Sequence, residues 1–130
     1  MRFTKTVIDG VLMIDLDTIE DKRGFFARTY CEDEFAAAGI TLRPVQCNLS
    51  HNKQAFTLRG MHYQAAPYGE SKLVQCMRGR IFDVAIDLRP QSQTFCRWAG
   101  VELSPKTRRM LFIPEGCAHG YLTLENESDV

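Results

Sequence analysis

The sequence predicts an all-β protein, an antiparallel β sandwich or jelly roll with one short peripheral helix. Three observations point there. At least eight short apolar runs are separated by turn residues. The longest, Arg80 to Leu88, alternates strictly: Ile81, Asp83, Ala85 and Asp87 share one face, and Phe82, Val84, Ile86 and Leu88 the other. Helix formers gather in a single stretch, so the strand–helix alternation of a parallel sheet is missing.

Each element has its own signal. Val11 to Leu16 reads as a first strand, with Gly10 before it and Asp15 and Asp17 at its end. Asp21-Lys22-Arg23-Gly24 is a turn leading into a strand over Phe25 to Tyr30. Asp33 to Ala38 carries helix formers and stops at Gly39, a residue suited to a helix C-terminus. Pro44 limits the start of an extended segment, Val45 to Ser50. Thr57 to Tyr63, Lys72 to Met77 and Arg80 to Leu88 follow as strands, with Arg78-Gly79 a tight connection between the last two. Arg97 to Leu103, Met110 to Ile113 and Gly120 to Leu124 complete the series. The helix is expected outside the main core.

Composition bounds the function. A chain of 130 residues, 45% hydrophobic and 25% charged, is expected as a single domain over residues 1–130 with a core of its own. Lys plus Arg and Asp plus Glu both total 16, so no bulk positive potential recruits nucleic acid or an anionic membrane. No apolar run approaches a membrane span, and Arg2, Lys5 and Asp9 interrupt the N-terminus too early for a signal peptide. Cys31, Cys47, Cys76, Cys96 and Cys117 are odd in number and lack paired spacing. They point to a reducing cytoplasm, not to a disulfide framework or thiolate zinc. Cys47, Cys76 and Cys96 sit in or beside strand-like runs, where a free thiol packs as a small apolar group.

Chemistry concentrates in two segments. One is Leu58-Arg59-Gly60-Met61-His62-Tyr63-Gln64, followed by Lys72 and Gly79; the other is Pro114-Glu115-Gly116-Cys117-Ala118-His119-Gly120. His62 and His119 lie in different strands, so only folding can bring them together. The spacing resembles that of the cupin superfamily. There His62 falls at the first ligand position and His119 at the last, with Pro114 and Gly116 keeping the later spacing. Gln64 stands where cupins have a second histidine, and Lys72 where they have a glutamate. Divalent metals want neutral imidazoles and carboxylates, so these replacements predict no metal and no cofactor. A lysine beside a cleft suits an oxyanion or enolate instead.

A closer resemblance is to the dTDP-4-dehydrorhamnose 3,5-epimerase family. It is carried in order by Asp21-Lys22-Arg23-Gly24-Phe25-Phe26, Gln46-Cys47-Asn48-Leu49-Ser50, the Leu58 to Gln64 segment, Lys72-Leu73-Val74, Asp83 to Arg89, and the Pro114 to Gly120 segment. The resemblance implies a cupin-like jelly roll and a homodimer. It implies epimerisation at C3 and C5 of a dTDP-linked 4-keto-6-deoxyglucose by enolisation, yielding dTDP-4-dehydro-L-rhamnose. His62 matches the family's base and Lys72 its enolate stabiliser. Arg23, Gln46, Asn48 and Arg59 match residues that hold the nucleotide-sugar, and His119 matches a pocket histidine. The chemistry is independently sound: histidine titrates near neutrality, and arginine offers paired donors to a diphosphate.

Other residues carry open readings. Asp83 orients a histidine, caps a strand edge or joins a surface ion pair. Phe25, Phe26 and Tyr30 pack the sandwich or flank the nucleotide base, Trp98 packs, and His51 is expected exposed without chemistry. The family also has a tyrosine acid shortly after the His119 region and a distal aspartate that pairs with the base. Neither finds a match before Val130, and Tyr121 fills a different position, directly after Gly120. The expectation is a C-terminally shortened domain that enolises slowly at most. Two further readings stand beside the epimerase: a non-catalytic nucleotide-sugar-binding or structural cupin, and a related sugar ketoisomerase or mono-epimerase.

Overall fold

The computed structural model describes residues 1–130. In chain order its elements are β1 (Arg2–Lys5), β2 (Leu12–Asp15), β3 (Thr18–Asp21), β4 (Gly24–Ala27) and α1 (Glu32–Ala37). Then come β5 (His51–Asn52), β6 (Leu58–His62), β7 (Lys72–Gln75), β8 (Ile81–Asp87) and β9 (Trp98–Leu103). The last are β10 (Arg109–Ile113), β11 (Cys117–Thr123) and β12 (Ser128–Asp129). All pairings are antiparallel. One four-stranded sheet has the order β1-β2-β10-β7 and the other β6-β11-β8-β9, with two small sheets, β3-β4 and β5-β12, beside them. The all-β, cupin-like expectation holds.

The two large sheets enclose the main core. Val74, Cys76, Leu111 and Ile113 come from one side, and Ile81, Ala85, Ala99, Leu103, Cys117 and Tyr121 from the other. Period two then fixes which way every other residue on these strands points. On β8 the face with two aspartates is the buried one, and Phe82, Val84 and Ile86 lie half-buried outside. The first sheet has a second apolar face. Ile14, Met110 and Phe112 pack there against Phe35 of α1, with Ile40 and Leu42 beside it. The helix thus lies outside the main core yet builds this smaller one, and Gly39 ends it at φ +79°.

Several boundaries differ from expectation. β1 precedes the expected first strand: its polar residues hide the signal, and Phe3 seats its ring edge-on to Phe35 at 5.3 Å. Of the expected strand Phe25 to Tyr30 only the part up to Ala27 forms, as half of a β3-β4 hairpin in which Phe25 and Phe26 stay exposed, while Tyr30 packs against Phe35. Val45 to Ser50 forms no strand, because only Ser50 finds a backbone partner, Val130. Arg78-Gly79 carries the chain from one sheet to the other, since β7 and β8 do not pair. Cys47 and Cys96 lie exposed in loops, contrary to the apolar packing expected of them. Cys76 and Cys117 are buried, and burial pushes both thiols up to about 11, as suits packing residues. Trp98 is exposed, not packed. No helix is long and apolar enough to cross a membrane.

Candidate active site

His62 and His119 are cross-strand partners on β6 and β11, so their side chains stand on one face. That face is the interior one, because Cys117 and Tyr121, two residues either side of His119, belong to the main core. Lys72 reaches the same space from the opposite sheet. It shares a face of β7 with core residue Val74 and pairs with core residue Ile113. Register therefore turns His62, His119 and Lys72 toward the space between the two sheets, His62 from the exposed edge strand β6.

Asp83 joins them from β8. Its Oδ1 lies 2.7 Å from His119 Nε2, both groups are buried, and its Oδ2 has no partner. Burial pushes the Asp83 carboxyl up, while His119 pulls it the other way. Of its three readings, orientation of a histidine is the one the geometry matches, and the histidine is His119.

Arg59 gains access through an irregularity. Tyr121 pairs with Arg59 and His119 with His62, so β6 spends three residue steps where β11 spends two. This bulge turns Arg59 and His62 to the same side. Gly60 makes it feasible, at φ +103° and so close to β11 that an added Cβ would stand 2.7 Å from Gly120 Cα. Arg59 Nε donates to Asn52 Oδ1 at 2.7 Å, and Asn52 Nδ2 donates to the Tyr121 hydroxyl at 3.2 Å. The Tyr121 hydroxyl donates to Ser50 Oγ at 2.8 Å, which binds this ring into the wall. Sequence reasoning missed this network, because Asn52 lies outside every strand signal and Ser50 reads only as the end of an extended segment.

The other expected ligands of the nucleotide-sugar are placed differently. Gln46 and Asn48 are exposed on the loop before β5. Arg23 sits at the tip of the β3-β4 hairpin, bound to Asp21. Arg108 holds that hairpin, donating to Glu20 at 2.9 Å and lying 4.1 Å over the Phe25 ring. Arg108 precedes β10 at the end remote from Ile113, the partner of Lys72. Arg108 and Ile113 are five residue steps apart along the strand, about 17 Å. The protomer thus gathers His62, Lys72, Arg59, His119 and Asp83, and leaves Arg23 apart.

A depression of about 360 Å³ opens beside the His62 strand, lined by Tyr63, Gln64, Pro67, Gly69 and Glu115. A larger hollow of about 500 Å³ lies elsewhere, between the Lys5 to Gly10 turn and the end of α1. Neither hollow is lined by His62, Lys72, Arg59, His119 or Asp83, so these groups are placed by the strand faces that carry them.

Two packed antiparallel sheets with a histidine pair and a lysine turned inward form the cupin-like architecture that the sequence resemblance implied. A family model for dTDP-4-dehydrorhamnose 3,5-epimerase matches residues 5–130. The epimerase of that name from Methanothermobacter thermautotrophicus is 47% identical over 97% of this chain and 67% of its own length. The solved dTDP-4-dehydrorhamnose 3,5-epimerase of Bacillus anthracis, with TDP and PPi bound, superposes with a TM-score of 0.95 at 37% identity, over 98% of this chain and 73% of that one. The Legionella pneumophila enzyme in complex with dTDP-4-keto-L-rhamnose gives 0.90 at 40% identity, over 98% and 68%. The chain belongs to the dTDP-4-dehydrorhamnose 3,5-epimerase family, as its motifs implied, and spans about two thirds of these relatives' length.

Proposed function

We propose that this protein epimerises C3 and C5 of a dTDP-linked 4-keto-6-deoxyglucose through an enolate, without metal or cofactor. The observation that supports the reading is that strand register turns His62, at the exposed end of β6, and Lys72, on the opposite sheet, toward the space between the sheets. His62 removes the proton beside the ketone, the C–H electron pair moves into the ring C–C bond, and the carbonyl pair moves onto oxygen. The Lys72 ammonium stabilises that oxygen as its charge grows. Return of a proton to the opposite face inverts the centre. Tyr121 is unsuited to that step, because its hydroxyl is engaged by Ser50 and Asn52 in the wall.

Arg59, His119, Gln46 and Asn48 are the proposed contacts to the nucleotide-sugar, with Asp83 fixing the His119 ring. Arg23 serves a diphosphate only if its hairpin reaches a second subunit, so its role is tied to a homodimer. The exposed Ile19, Phe25 and Phe26 of that hairpin support such an interface. A cytoplasmic setting suits a nucleotide-sugar substrate and the five free thiols.

The test is deuterium exchange. With dTDP-4-keto-6-deoxyglucose in D₂O, NMR should show label entering C3 and C5. His62→Asn should abolish it, a fall of at least about 10³-fold. Equal exchange in that variant would falsify the assignment of the base. Tight binding without any exchange would favour a nucleotide-sugar-binding protein, and label at one centre alone a mono-epimerase.

A further inference from the structure

Lys72 does not present a free ammonium to the space it faces. Its Nζ donates to Glu70 Oε1, two residues earlier on the same face of the chain. The two side chains are 24% and 38% exposed, so the pair is half-covered at the mouth. Lys72 holds the Glu70 carboxyl below the usual carboxylate range. Glu70 therefore ties the loop that precedes β7 to the proposed enolate stabiliser. The segment between β6 and β7 folds over Glu115, whose Oε2 would lie 3.2 Å from a Cβ on Gly69.

We propose that Glu70 is a positioning residue that holds Lys72 in the empty site and yields it to the substrate, whose ketone oxygen replaces the Glu70 carboxylate on Nζ. This rests on the assignment of Lys72 as enolate stabiliser. A lysine needs no neighbouring carboxylate to be charged at neutral pH, so the pair does not exist to ionise it. An ammonium on a four-carbon stem otherwise swings to water, and the carboxylate keeps it at the mouth. While the carboxylate remains on Nζ, however, its charge opposes the charge developing on the enolate oxygen. Catalysis therefore requires its withdrawal. The exchange moves no proton: one oxygen acceptor leaves Nζ and another arrives. Glu70 has room to withdraw, because the loop that carries it is open to solvent at Tyr68.

Two readouts test this. In His62→Asn, which binds without turnover, the Glu70 carboxyl carbon is titrated by ¹³C NMR, free and saturated with dTDP-4-keto-6-deoxyglucose. Lys72 and Glu115 are the titratable groups around it, so the same titration in Lys72→Met isolates the lysine. The free protein should show Glu70 titrating below the usual range, and Lys72→Met should bring it back. Saturation should move it up as Lys72 leaves and the diphosphate adds negative charge. In steady state, Glu70→Gln should lower KM about fivefold, the size of a half-exposed ion pair, without lowering kcat. A Glu70 titration unmoved by saturation would overturn the proposal, and so would a tenfold loss of kcat in Glu70→Gln. Failure to bind the nucleotide-sugar at all is a separate outcome, one that removes the epimerase reading and this device with it.

Discussion

Asp83 and Asp87 point the same way from one strand, and their surroundings set them apart. Asp83 has a single partner, His119, and one oxygen with none. Asp87, equally buried, accepts from the Arg89 guanidinium, Ser92, Thr94 and the Arg89 backbone N–H. Burial accordingly raises the Asp83 carboxyl, whereas Arg89, aided by Ser92 and Thr94, depresses that of Asp87 far below its ordinary value. The signs give opposite predictions. A raised folded value means that ionised Asp83 costs stability once the pH exceeds the unfolded value near ~4. Asp83→Asn keeps an acceptor for His119 Nε2–H and removes that charge, so calorimetry at pH 7 should show an unchanged or higher Tm. Deuterium exchange should nevertheless fall about tenfold, the scale of lost histidine orientation. A Tm lower by several degrees would show instead that the ion pair is net stabilising. A depressed value means that the Asp87 contribution is present above the unfolded value and lost as pH falls through the folded one. Urea unfolding of Asp87→Ala should show a loss of about 3 kcal/mol at pH 7, shrinking below about pH 4.

At the scale of elements, the site depends on a departure from the rule that made the fold legible. Alternation along β8 and the order of turns were enough to anticipate the sandwich, because burial enforces period two wherever one face is sealed. The same rule misplaces Arg59. Three residues separate it from His62, so strict alternation would put the two on opposite faces. Only the Gly60–Met61 bulge aligns them, and nothing in the sequence distinguishes that glycine from one in an ordinary turn. The individual site residues His62, Lys72, Arg59 and His119 were legible as motif positions. The Asn52–Tyr121 support and the Glu70 tie were not, since both depend on where loops pack. Gly60→Ala tests the bulge. The added methyl meets backbone on β11 at a positive φ, and the strain should lower stability by about 2 kcal/mol in urea unfolding. Because β6 must shift, exchange should fall further than stability does. A variant with full exchange and wild-type stability would show that β6 can realign without cost.

At the scale of the whole molecule, the interior is well served and the exterior is not. The outward face of the β6-β11-β8-β9 sheet carries Leu58 and Trp98, 69% and 61% exposed. Across the molecule, Phe26 on the β3-β4 hairpin is 71% exposed. Apolar exposure on this scale, joined to an edge strand β6 with no outer neighbour, is what a subunit interface would cover. The placement of Arg23 on a hairpin held by Arg108, at the end of β10 remote from the partner of Lys72, makes the same demand from the chemistry, because a phosphate clamp must reach the ligand it holds. Light scattering should therefore give twice the 14.8 kDa chain mass at micromolar concentration. The sharper test is complementation. Arg23→Leu should weaken nucleotide-sugar binding and flatten its salt dependence, and His62→Asn should lack exchange. If the hairpin of one subunit serves the pocket of the other, a mixture refolded from both variants contains heterodimers with one pocket carrying both wild-type residues. Such a mixture should regain about a quarter of wild-type exchange, because half of the dimers are mixed and each holds one intact pocket of two. Mixtures no more active than their components would place Arg23 outside the site altogether, and a stable monomer would remove the interface on which its role depends.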